Sequence, residues 1–144
     1  MRHVLVVRTI DPAIQEIRSS ESSLAEWGCE VNPDPFDLVL AGLGECTANT
    51  MVDHAASNGW GLDSIHIDLG LFGEAPWRAI GCRISVGGDI DASQLASLLD
   101  AADRSPVAIA LRPTIHIQSK IAHIAPPMSP GEECQVAKEY LELT

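Results

Sequence analysis

Four cysteines, Cys29, Cys46, Cys82 and Cys134, are the residues of this chain best suited to chemistry. No two form a C-x-x-C pair, so neither a zinc ribbon nor a thioredoxin-type dithiol is written into their spacing. Cys82 falls on the apolar phase of AIGCRISV and reads as a small core residue. Cys29 stands beside a turn and Cys134 in the tail, without supporting neighbours. Cys46 is different. In LVLAGLGECTANTMVDHA, Leu38 to Ala55, it lies where an apolar helix turns polar, a position suited to the wall of a cleft. A reactive thiol there needs a positive group to lower its pKa.

Its nearest charge, Glu45, has the wrong sign. On a helix Glu45 points about 100° away from Cys46 and need not touch the sulfur. An activating arginine must come from elsewhere, and the candidates are Arg8, Arg18, Arg104 and Arg112. His54 lies two turns further along the same helix, about 12 Å of rise, too far for a direct Cys–His pair. The remaining chemistry is thin. His66 and His116 stand on separate strands with no ligand spacing, so no metal and no cofactor is expected. Ser105 lacks the G-x-S-x-G elbow of a serine hydrolase.

The elements that must position Cys46 follow from periodicity. Residues 1–30 carry N-terminal strands: HVLVVRT at 3–9, IQEIRS at 14–19 and a weaker SLAEW at 23–27. A central helix is expected over 35–58. Asn32 and Asp34 are suitable caps, Pro35 suits the first turn, and Asn58-Gly59 ends it. Leu38 to Leu43 is apolar all round, which implies burial on every side. Its small residues Ala41, Gly42, Gly44 and Ala48 point to close approach by another element, since each helical glycine costs roughly 1 kcal/mol. An antiparallel hairpin spans 63–87 and alternates with period two. Helices follow over 91–111, with Ser105 and Pro106 as cap and first residue of the second. A strand at 114–121 and a tail with an amphipathic helix over 122–144 complete the chain. Strands and helices do not alternate regularly, so the class is α+β, one domain over 1–144.

Composition narrows the function. Nine basic residues face twenty acidic ones, a net charge of −11. Such a surface repels phosphate backbones and anionic bilayers, so neither nucleic acid nor membrane is an expected partner. No apolar run reaches the ~20 residues of a membrane span, and MRHVLVVRTIDP reads as a strand and not a signal peptide. The expected location is the cytoplasm, and the thiols are expected to be mostly free.

NPDPFDLVLAGLGECTANTMVDHAASNGWGLDSIHIDL resembles the central-helix signature of the OsmC/Ohr family, proteins of osmotic induction and organic hydroperoxide resistance. LASLLDAADRSPVAIALRPTIHI is similar to the family's second motif, a helix leading into Cys-Pro-Val, an apolar turn and a strand. The resemblance covers about residues 30 to 121. It implies an intertwined homodimer, with long central helices between antiparallel sheets and the sites at the subunit interface. It would explain the small residues of the central helix. It also implies reduction of organic hydroperoxides: Cys46 matches the attacking thiol, and an external thiol would be the final reductant.

Three positions depart from the family's pattern. Ser105 stands where the second cysteine falls, and a hydroxyl cannot resolve a sulfenic acid; helix capping is left to it. Phe36 occupies the position of a glutamate, with Asp37 one place later. The Gly-Gly-Arg-type turn that carries the family's arginine is missing, and Arg8 is the nearest substitute. Two readings result. One is a one-cysteine thiol peroxidase, with Cys46 attacking, Arg8 activating, Asp37 and Glu45 supporting, and the resolving thiol external or, in this chain, Cys82 or Cys134. The other is a non-peroxidase dimer that binds a small apolar or acyl ligand or serves a structural role.

Overall fold

A computed structural model describes residues 2–19, 35–74 and 78–124. The strand expected at 23–27, the caps Asn32 and Asp34, Cys29, Cys134 and the terminal helix lie outside the described residues.

The β-branched N-terminal run forms β1 (Arg2–Thr9), and the weaker candidate after it forms β2 (Ile14–Ser19). The central helix is α1 (Pro35–Asn58), with the expected bounds. β3 (Gly61–Phe72) and β4 (Ala79–Asp89) pair antiparallel, and α2 (Ala92–Asp103), α3 (Pro106–Leu111) and β5 (His116–Ile124) follow. The sheet runs in the order β2-β1-β3-β4-β5. β5 lies parallel to β4, because the α2–α3 segment carries the chain back to the end where β4 began. β5 also continues three residues beyond the expected strand end at 121, and the His123 ring meets the Gly88 carbonyl at 2.7 Å.

Period-two alternation gives the sheet its inner face. Val4, Val6, Ile65, Ile67, Leu69, Ile80, Ile84 and Val86 are almost wholly buried. They lie under Leu40, Leu43 and Met51 of α1 and Leu98 of α2. α2 starts at a capping box: Asp91 accepts from the Gln94 amide at 2.8 Å, and Gln94 accepts from the Asp91 amide at 3.0 Å.

The two glycines of α1 separate in role. A Cβ at Gly44 would meet Val6 Cγ2 at 2.7 Å and Leu69 Cδ1 at 2.8 Å. Gly44 therefore lets α1 settle on its own sheet. Gly42 has nothing within 4 Å of its would-be Cβ. Around it Leu38 is 38% exposed and Val39 41%. The apolar stretch expected to be buried on every side thus has one open side within a single chain. Among the described residues no helix is long and apolar enough to cross a membrane.

Candidate functional site

Cys46 is half-buried on α1. One phase of β1 decides what faces it. Val4, Val6 and Arg8 share a strand face, and the two valines are core residues, so Arg8 must also point at α1. Gln15 is its register partner on β2 and points the same way. The helix meets both: Arg8 Nη1 donates to Asn49 Oδ1, and Gln15 Nε2 donates to Glu45 Oε2. Glu45 and Asn49 are one turn apart, and Cys46 lies between them in the chain.

The other candidate arginines are engaged elsewhere. Arg18 pairs with Glu16 on its own strand. Arg104 pairs with Asp100 at 2.8 Å, and Arg112 with Asp103 at 3.3 Å. Of the four, Arg8 is the one delivered to the Cys46 helix. Its guanidinium goes to Asn49, and among the described residues no hydrogen bond joins it to the sulfur.

Glu45 thus has partners the sequence reading lacked. Burial raises its carboxyl pKa above the usual value, and the Arg8 charge pulls the other way without cancelling the effect. Its Oε1 is buried without a hydrogen-bond partner among the described residues. A carboxyl whose folded pKa is raised costs stability as pH rises from its ordinary 4.5 through the raised value. Glu45→Gln is expected to remove that cost. Its melting temperature relative to the native chain should rise between acidic and neutral pH, read by thermal unfolding at several pH values. A constant difference across that range would contradict this account.

Cys82 has the opposite environment. It is buried on the inner face of β4, within electrostatic reach of Asp103 at the end of α2 and Arg112 after α3. Burial, above all, pushes its thiol up to about 12, although Ser119 hydrogen-bonds to it. At neutral pH the protonated thiol then prevails. Iodoacetamide is therefore expected to label Cys46 in the folded protein and Cys82 only after unfolding, as mapped by peptide mass spectrometry. Burial of this kind disfavours Cys82 as a resolving thiol.

Ser105 corrects one expectation. It occupies the cap position of α3 but makes no side-chain capping bond. It is fully buried, and its Oγ has no partner among the described residues. α3 packs against α1, so this orphan hydroxyl belongs to the layer that contains Cys46. Asp37 is buried in the first turn of α1. Phe36 is half-exposed and takes the Arg78 guanidinium 4.5 Å from its ring centroid. His54 does not approach Cys46; its Nε2 lies 2.9 Å from Ser97 Oγ on α2, and its ring meets Trp60 edge-on. Among the described residues no three His, Cys, Asp or Glu converge on a metal site.

A long helix laid across an antiparallel-rich sheet, with a half-buried thiol in its middle, defines an OsmC-type fold. The sequence profile of OsmC-like proteins matches residues 28–120, and the chain belongs to that family. Solved structures are similar in fold. An OsmC-like protein from Mycoplasma pneumoniae aligns with a TM-score of 0.59 at 11% identity, over 83% of this chain and 95% of that one. A hypothetical protein from Aquifex aeolicus gives 0.58 at 14% identity, over 85% and 96%. The organic hydroperoxide resistance protein OhrB of Bacillus subtilis gives 0.50 at 18% identity, over 82% and 96%. No functionally curated protein sequence matches.

Proposed function

We propose that this protein is a one-cysteine thiol peroxidase that reduces organic hydroperoxides through Cys46, acting as a homodimer. The observation that carries the reading is the delivery of Arg8 to the helix face beside a half-buried Cys46. The Cys46 thiolate attacks the peroxide oxygen distal to the organic group, the O–O bond breaks, and the alkoxide leaves with a proton as alcohol. The sulfur becomes a sulfenic acid. One external thiol condenses with it, releasing water, and a second displaces Cys46 from the mixed disulfide. The products are an alcohol, water and an oxidised external disulfide. An organic hydroperoxide resistance protein among the fold relatives supports the substrate class.

Exposing the protein to limiting cumene hydroperoxide and mapping oxygen uptake by mass spectrometry tests this. Oxygen on Cys46 ahead of every other cysteine supports the reading; indiscriminate low-level oxidation sinks it. One observation favours a second reading, a non-catalytic OsmC-like dimer that binds a small apolar ligand: Ser105 fills the second motif position with a buried hydroxyl that cannot form a disulfide.

A further inference from the structure

The Ser105 hydroxyl is a buried polar group that the chemistry above does not use. Its backbone is satisfied: the amide donates to the Ala102 carbonyl at 3.2 Å, and the carbonyl accepts from the Ile109 amide at 3.0 Å. The side chain is not. Ser105 is 0% exposed and makes no capping bond. Its Oγ has no hydrogen-bond partner among the described residues, the Cys46 sulfur included. A buried hydroxyl in that state has given up its water and gained nothing for it. Alanine would avoid the cost at the same place in the chain, so the hydroxyl points to a partner from outside the chain.

Chain direction places this hydroxyl along α1. The helix begins at the end of the sheet where β4 starts, with Phe36 under Arg78, and it stops just before Gly61. Gly61 is the register partner of Asp89, and α2 starts directly after Asp89. The α2–α3 segment then returns to His116, the partner of Ala79 at the start of β4. α2 thus runs against α1. The two helices meet where His54 Nε2 lies 2.9 Å from Ser97 Oγ. Cys46 is eight residues back from His54, and Ser105 is eight residues on from Ser97. At ~1.5 Å per residue both lie roughly 12 Å from that contact, toward the same end of the sheet. Eight residues also turn Cys46 only about 80° from His54 around the axis, so Cys46 borders the side that α2 covers. α3 packs against α1 as well, which brings Ser105 to the level of Cys46.

We propose that the Ser105 hydroxyl donates a hydrogen bond to the oxygen that Cys46 takes from the hydroperoxide, a role that rests on the peroxidase reading. The balance of the step is unchanged. The thiolate forms an S–O bond with the distal oxygen, the O–O bond breaks, and the alkoxide takes a proton from water and leaves as alcohol. Ser105 keeps its own proton throughout. Its donor finds an acceptor only once the peroxide oxygen is beside the sulfur, so it stabilises the oxygen in transit and the sulfenic acid more than the free thiol. A thiol at this place would consume the sulfenic acid as a disulfide, whereas a hydroxyl holds it for the external thiol.

Two rates measured at Cys46 in the full chain and in Ser105→Ala test the assignment: oxygen uptake from limiting cumene hydroperoxide and alkylation by iodoacetamide, both mapped by peptide mass spectrometry. Iodoacetamide brings no peroxide oxygen, so a change in the fold or in thiol exposure would move both rates. Ser105→Ala is expected to take up peroxide oxygen about tenfold more slowly, the effect of one lost hydrogen bond in the transition state. Its alkylation should keep the native rate, and its melting temperature should be no lower, because the variant removes a buried group that lacks a partner. Equal oxygen uptake in the two proteins, or a loss shared by alkylation, would overturn the role of Ser105 and leave the peroxidase reading standing. Absence of oxygen on native Cys46 would overturn both.

Discussion

Consumption of cumene hydroperoxide in the presence of a dithiol is expected to fall by at least about a hundredfold when Cys46 is replaced by serine, because the variant keeps the fold and loses the nucleophile. The substitution changes one half-buried atom on α1, so circular dichroism and melting temperature should barely move. Arg8→Gln separates activation from attack. It leaves the thiol in place and removes the cation, so peroxide consumption should fall while iodoacetamide still labels Cys46 in the folded variant. An unchanged rate would mean that Arg8 only positions α1 through Asn49. Equal peroxide consumption by the native chain and Cys46→Ser would remove catalysis from this protein altogether.

Val39→Glu is expected to turn a dimer into a monomer. Val39 is 41% exposed, Leu38 38%, and Gly42 faces open space; together they form the unfilled side of an otherwise buried helix end. A second α1 laid there would bury the two side chains and use Gly42 for close approach. A charge introduced into that contact loses water without gaining a partner, at a cost of several kcal/mol. Light scattering at micromolar concentration should show the halved mass, and peroxide consumption should fall with it. A native chain that is already monomeric would refute the arrangement. In an obligate dimer, moreover, the melting temperature of the native chain should rise with protein concentration.

Much of the fold was legible in the chain because it rests on local periodicity. Pro35 and Asn58-Gly59 bound α1, β-branched residues marked β1, and alternation marked β3, β4 and β5. Arg8 was singled out by position alone; that it shares a strand face with Val4 and Val6 shows only once β1 is placed in the sheet. Orientation was not legible. Alternation in TIHIQSKI does not tell a parallel strand from an antiparallel one; the crossover through α2 and α3 decides it. Gly42 and Gly44 looked alike in sequence, yet only Gly44 touches the sheet. Ser105 has a capping side chain by type, but packing of α3 on α1 isolates its hydroxyl. The Gln15–Glu45 contact depends on register between strands and on docking of the helix, which no single segment encodes.

The pairing of β1 with β3 sets an order of events during synthesis. Arg2 is partnered with Leu71 and Thr9 with Ser64, so the first strand cannot join the sheet until the chain beyond residue 72 has emerged. At roughly 5–20 residues per second the ribosome takes several seconds to supply it. A two-stranded hairpin of β1 and β2 is marginal alone, so Arg8 and Gln15 reach α1 only once β3 is in place. In the nascent chain the α1 face around Cys46 therefore stands without Arg8 and Gln15 until that long-range closure is made.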